Sequence, residues 1–118
     1  MAAPSPLTVE AALADPQLFR AWLEQQRERQ FPCRSLCHCP LAEYLSDSCR
    51  IFADVGYALA GFLDQERRPV HAPLPMWARQ VVGAIDGLTL FGRGVAYVSA
   101  PEALRILDEV LAAAEVPS

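Results

Sequence analysis

Lysine and asparagine are absent from this chain of 118 residues, so all ten basic residues are arginine. The lack of lysine excludes a Walker-type phosphate contact, a Schiff base and a lysine general base. Together with abundant alanine, proline and arginine, the two absences indicate GC-rich codon usage. We therefore expect a prokaryotic or phage origin.

Long apolar runs are also missing. No stretch reaches the roughly 18 uncharged apolar residues that a membrane-spanning helix needs, so no membrane partner is expected. The segment from Met1 to Leu7 has neither the basic start nor the apolar core of a secretory signal. We expect a cytoplasmic protein whose cysteines stay mostly reduced.

The charge balance is mildly acidic, with a net charge of −4 at pH 7. The acidic residues are scattered along the chain and form no block of like charges. A general nucleic-acid binder needs clustered cations that neutralise phosphates, and this sequence offers few. The composition therefore disfavours direct nucleic-acid binding.

The length fits one ordinary domain with a core of its own. We expect a disordered N-terminal tail over residues 1–7 and a single compact domain over 8–118. Thr8, Asp15-Pro16 and the Ser99-to-Glu102 capping box are helix-start signals. With apolar spacings of three and four residues, they predict four to five short helices, over 9–14, 16–30, 40–47, 76–86 (ended by Gly87) and 101–115.

Alternation of apolar residues from Ile51 to Leu59 predicts a β-strand. Asp64 to Arg68 is a polar turn, and Val70 to Ala72 is a candidate return strand that Pro69 confines to a sheet edge. A further short strand is expected over residues 95–98. The predicted fold class is therefore α+β, mostly helical, with a small antiparallel hairpin or sheet.

Residues at helical spacing define the expected core. Burial is predicted for nine side chains, namely Phe19, Trp22, Tyr44, Leu45, Trp77, Val81, Ile85, Leu104 and Leu107.

All four cysteines, Cys33, Cys37, Cys39 and Cys49, fall within seventeen residues, with His38 among them. Such clustering suits zinc, which needs four nitrogen or sulfur ligands, but the spacing contains no C-x2-C pair. The sequence favours free thiols that pack as small apolar side chains. A zinc-stabilised module built on the four cysteines is the alternative, and otherwise no metal or cofactor is expected.

A second alternative is a thiol enzyme that uses Cys39. This residue directly precedes Pro40 and is the expected N-cap of a helix. A helix N-terminus stabilises a thiolate and lowers the pKa of the thiol. His38 is adjacent in sequence, where neighbouring side chains usually point apart.

The segment from Leu59 to Leu74 is the predicted partner-binding region, because loops on a rigid scaffold carry binding residues. Phe62 is the expected apolar anchor, and Arg67 and Arg68 are the expected contacts to partner carboxylates. Arg34 and Arg50 could join them in a basic patch.

The expected function is that of a small, non-enzymatic protein–protein interaction module. Two histidines, no lysine and no ordered acidic cluster leave few ways to build a preorganised catalytic site. An inhibitor or adaptor that acts on a larger assembly fits this description, and a phage-type inhibitor is one specific form. The expected partner is a protein, and the sequence leaves homo-oligomerisation open.

Overall fold

The computed structural model describes residues 7–33, 35–64, 66–90 and 97–115. These residues form five helices and two small antiparallel sheets, which confirms the predicted α+β class. The helices are α1 (Val9–Ala14), α2 (Pro16–Gln25), α3 (Pro40–Cys49), α4 (Met76–Leu90) and α5 (Ala100–Glu115). The strands are β1 (Gln30–Pro32), β2 (Asp54–Val55), β3 (Leu59–Leu63), β4 (Pro69–Pro73) and β5 (Tyr97–Ser99).

The helix starts follow the local signals in the sequence. Thr8 caps α1 by accepting a hydrogen bond from the Ala11 amide at 3.1 Å. Asp15 caps α2 by accepting one from the Gln17 amide at 2.9 Å, with proline in the first turn. Each cap satisfies a backbone donor that the helix itself leaves unpaired, which is why these short helices begin where predicted.

The C-terminal ends of three helices differ from the predictions, and one of them is that of α3, which runs to Cys49 where residue 47 was predicted. Helix α2 ends at Gln25 because Arg27 takes a left-handed backbone with φ 56°. Helix α4 continues through Gly87 to Leu90, so the predicted stop was wrong. A glycine in a helix costs about 1 kcal/mol relative to alanine, which the flanking apolar contacts of α4 can offset.

The strand predicted from Ile51 to Leu59 was wrong in its extent. Only Asp54 and Val55 pair with β3, and the chain then turns, with the Gly56 amide donating to the Leu59 carbonyl at 2.9 Å. The alternation holds for burial as far as Val55 and then fails. The β3–β4 hairpin and its polar turn confirm the remainder of that prediction.

The two sheets differ in the sequence separation of the strands that they pair. Strands β2, β3 and β4 are consecutive and form one sheet in that order, so β4 is an edge strand, as Pro69 predicted. The second sheet pairs β1 with β5, joining Phe31 to Val98 across the chain. Strand β1 was not predicted.

The core lies between the helices and the inner face of the larger sheet. Seven of the nine side chains predicted as core are buried, and Trp77 and Leu104 are half-buried. At its centre the Phe19 ring lies 5.1 Å from that of Tyr44 and 5.8 Å from that of Trp77. The Tyr44 hydroxyl donates to the Ala12 carbonyl at 2.8 Å, so its polar atom is satisfied inside the core.

The predicted N-terminal tail is described only at its last residue. Residues 1–6 lie outside the described residues, whereas the Leu7 amide donates to the Ser48 carbonyl at 3.0 Å. Within the described ranges, no helix combines the length and the apolar character required to cross a bilayer.

Candidate functional site

A groove of about 1400 Å³ lies between the β3–β4 hairpin and the helical body. One wall is α1, with Val9 and Leu13. A second wall is the C-terminal end of α3 and the residues that follow it, Cys49 to Phe52. The third is the hairpin, with Phe62 and Val70.

The hairpin wall is apolar because of strand geometry. Side chains alternate between the faces of a strand, so Ala60 and Phe62 share the face that looks toward the helices. Their cross-strand partners are Ala72 and Val70. Ala60 is fully buried, whereas Phe62 is only partly covered. The inner face of the sheet is therefore part of the core at one end and open at the other.

Phe52 stands at the rim of the groove with 97% of its surface exposed. A large side chain left in water forgoes about 1.5–3 kcal/mol that its burial would contribute. The sequence contained a signal for it, since the alternation from Ile51 to Leu59 placed Phe52 on the solvent face. An aromatic ring at such a position is a candidate contact residue, and it was missed.

Two arginines line the groove. Arg50 is the C-cap of α3 and Arg67 lies in the β3–β4 turn, and both have left-handed backbones, with φ 54° and 61°. Within the described residues neither guanidinium is in an ion pair. Glu10 and Asp64 also line the groove, so its charges are of both signs.

The structure places two of the three predicted binding residues in this groove. Phe62 and Arg67 line it, whereas Arg68 does not and lies 3.4 Å from Glu66 in a largely solvated ion pair. Of the suggested basic patch, Arg50 joins Arg67 on the groove, and Arg34 lies outside the described residues.

A smaller pocket of about 790 Å³ lies on the other side of Phe52. Glu43 accepts a hydrogen bond there from Arg29 at 2.9 Å, and its other carboxylate oxygen lies 2.8 Å from Nδ1 of His38. Arg29 also covers the Phe31 ring, with its guanidinium carbon 4.9 Å from the ring centroid. These contacts tie the segment before α3 to β1, which makes them structural links.

The four cysteines do not form one site. All four are free; Cys39 and Cys49 are buried, Cys33 is half-buried and Cys37 is exposed. Cys39 and Cys49 lie at opposite ends of α3, ten positions and about 15 Å apart. Among the described residues, no three histidine, cysteine or acidic side chains are placed to hold a metal ion. The zinc alternative therefore lacks its ligand set.

Cys39 is the N-cap of α3, as predicted, but its thiol is not activated. Burial raises the pKa of the thiol to about 11, although the amides of the first helical turn oppose this shift. The expected lowering of the pKa was therefore wrong. Loss of hydration outweighs the helix terminus here because the side chain is 6% exposed.

Comparison with known proteins places no constraint on the function of this groove. The chain matches no protein-family model, no curated protein and no solved structure. The groove and its lining residues are therefore the basis for a functional proposal.

Proposed function

We propose that this protein is a non-enzymatic interaction module that holds a segment of a partner protein in the groove between α1, α3 and the β3–β4 hairpin. The observation that carries the proposal is an apolar groove of about 1400 Å³ with Phe52 exposed at its rim. Small-molecule sites usually measure about 300–1,000 Å³ and enclose their ligand. A polypeptide segment suits the larger, open groove.

The chemistry of the groove supports binding over catalysis. In the part of the chain that the structure describes, no acidic, arginine or histidine side chain is buried, and the buried titratable groups are the Tyr44 hydroxyl and the thiols of Cys39 and Cys49. Active sites usually rely on desolvated titratable groups with shifted pKa values. The cysteine with the best helical position, Cys39, has its pKa shifted upward, away from that of a nucleophile.

The partner we propose is a protein and not a nucleic acid. Arg50 and Arg67 share the groove with Glu10 and Asp64, which does not make the basic stripe that phosphate backbones require. The net charge of −4 points the same way. An apolar surface with a few charges at its edge is instead typical of a protein interface.

We place this activity in the cytoplasm of a prokaryote or of a phage-infected cell, as an inhibitor or adaptor of a larger assembly. The support is the small size, the acidic charge and the arginine-only basic composition. A single groove-bound segment is enough for inhibition, whereas an adaptor would need a second contact surface.

The test uses Phe52 and an apolar control. Immobilised wild-type protein, Phe52→Ala and Met76→Ala are incubated with lysate of the source cells, and captured proteins are quantified by mass spectrometry. Met76 is 63% exposed and lies outside the groove lining, so its truncation controls for general stickiness. The captured amount of the specific partner is expected to be at least tenfold lower with Phe52→Ala than with wild type, and to be unchanged with Met76→Ala.

Folding is checked for each variant by circular dichroism and thermal unfolding. Because Phe52 is almost fully exposed, its truncation should leave the melting temperature within a few degrees of the wild-type value. Equal capture by all three folded proteins would remove this groove from the interface.

A further inference from the structure

We infer that the groove accepts an amphipathic α-helix of the partner, with an acidic side chain directed to Arg50 and Arg67. This inference rests on the proposed function and specifies the conformation and charge of the bound segment. It follows from the hydrogen-bonding state of the open sheet edge, from the length of strand β4 and from the two arginines.

The edge of β4 is a poor template for an added strand. The Asp64 amide donates to the Arg68 carbonyl at 3.0 Å, and the Leu74 amide donates to the Ala58 carbonyl at 2.8 Å. Along an antiparallel strand, every second residue directs its backbone groups toward the same neighbour. Arg68 and Leu74 both bond on the β3 side, so Val70 and Ala72, at the alternate positions between them, also direct their backbone groups toward β3.

The outward positions of β4 are consequently Pro69, His71 and Pro73. Proline has no amide hydrogen, so the amide of His71 is the single donor that these three residues offer to a neighbour. Proline on an edge strand is a known device against strand addition. A segment bound beside β4 can make few backbone hydrogen bonds to this edge, which favours an α-helix, because a helix satisfies its own backbone groups.

The length of the strand beside the groove, β4, corresponds to about three turns of helix. Strand β4 has five residues and runs for about 17 Å. A helix of about eleven residues has the same length. Such a helix would present apolar side chains at positions i, i+3 or i+4, and i+7 to Phe62 and Val70, with Phe52 covering it from the rim.

The two arginines of the groove favour a helix that carries an acidic side chain. Arg50 and Arg67 stand on two different walls and are free of ion pairs with the described residues. Of the two acids, Asp64 is used by the turn, where Oδ1 accepts from the amides of Glu66 and Arg68 at 2.9 and 2.8 Å. Glu10 remains on the α1 wall.

Guanidinium groups bind carboxylates through two parallel hydrogen bonds, which gives them a geometric preference for aspartate and glutamate. An acidic side chain of the bound helix is therefore expected on the α3 and hairpin sides of the groove, where Arg50 and Arg67 lie. On the α1 side, Glu10 disfavours a second acid.

The experiment selects ligands from random sequences, so the partner need not be identified first. A display library of random 16-residue peptides is selected on the full-length chain, and enriched peptides are synthesised with a fluorescent label. Their affinities are measured by anisotropy and their bound conformation by circular dichroism. Helical peptides with the apolar spacing above and at least one aspartate or glutamate are expected.

The charge contact is tested with Arg50→Glu/Arg67→Glu. The matched control is Arg27→Glu/Arg79→Glu, which changes the net charge equally, and Arg27 has the same left-handed backbone (φ 56°). The groove variant should bind the selected peptides at least tenfold more weakly than wild type, whereas the control should stay within twofold.

Each other outcome counts against a defined part of the argument. Peptides that bind in an extended form, or equally well to the groove charge variant, overturn the acidic helix. If such peptides still lose binding with Phe52→Ala, the interaction function stands. Both proposals are contradicted if the affinity of every selected peptide is unchanged when Phe52 or Phe62 is truncated to alanine. Self-association that Phe52→Ala abolishes assigns the groove to a second copy of the chain and overturns the partner helix.

Discussion

Alkaline pH is expected to destabilise the fold through the buried thiol of Cys39. Loss of contact with water raises the pKa of this thiol from an ordinary value of 9.0 to about 11. Unfolding returns the thiol to water, so the unfolded chain releases the proton at a lower pH than the folded chain does. Between the two pKa values the folded state holds more protons, and stability therefore falls as the pH rises through this window.

The size of the effect follows from the pKa difference. A difference of about two units corresponds to about 3 kcal/mol in the free energy of unfolding, and about 2 kcal/mol of this is lost by pH 11. Burial also raises the pKa of Cys49 to about 11 and raises that of Tyr44, so the whole protein should lose more than Cys39 alone accounts for.

Urea unfolding at pH 8 and pH 11, followed by tryptophan fluorescence, isolates the contribution of Cys39. The loss of stability between the two pH values should be about 2 kcal/mol smaller in Cys39→Ala than in wild type. Cys37 is free and exposed, so Cys37→Ala is the matched control and should behave as wild type. If Cys39→Ala shows the wild-type pH dependence, the argument from burial is refuted.

Four further predictions concern single positions in the fold. In α4, a Cβ at Gly87 would meet nothing within 4 Å, so Gly87→Ala should stabilise by about 0.5–1 kcal/mol in urea unfolding. A Cβ at Gly61 would lie 2.6 Å from Oδ1 of Asp54, so Gly61→Ala should instead destabilise or leave stability unchanged. Tyr44→Phe should cost about 1–2 kcal/mol in the same assay, because a carbonyl of α1 loses its buried donor. Arg50→Gly should raise stability by up to about 1 kcal/mol, by relieving a left-handed backbone, and should weaken peptide binding; unchanged binding would contradict its role in the groove.

Those parts of the fold that depend on neighbouring residues could be predicted from the sequence. Thr8 and Asp15 cap helices within two or three residues of themselves, and the β3–β4 hairpin needs only a polar turn between two short apolar runs. Strand β1 could not be predicted in this way. It has three residues, and Gln30 pairs with Ser99, which follows it by 69 positions.

The error over residues 51–59 has a related cause. An alternating pattern indicates which side chains face the core, and Val55 does face it. The pattern does not indicate the residue at which a strand stops pairing with its neighbour. The turn that follows is fixed by a backbone hydrogen bond from Gly56 to Leu59, which leaves no trace in apolar periodicity. Local pattern therefore predicted the face of the residues correctly only as far as Val55, and it predicted the length of the strand incorrectly.

The candidate site was predictable only in part, because a groove needs walls from distant segments. Phe62 and Arg67 were identified from the chemistry of one loop, and both line the groove. Arg68 has the same chemistry but is directed away from it, toward Glu66. Phe52 was missed since it belongs to another wall, about ten residues earlier in the chain.

Several residues that line the groove lower the stability of the fold. Phe52 leaves almost its whole ring in water, and Arg50 and Arg67 adopt backbones that cost about 1 kcal/mol or more outside glycine. Two of the three non-glycine residues with positive φ in the described ranges line this one groove. Departures from the best local choice concentrate at functional sites, where a bound partner can compensate for them. The exposed Phe52 ring, and the two guanidinium groups that form no ion pair with the described residues, would each gain contacts when a helix is bound.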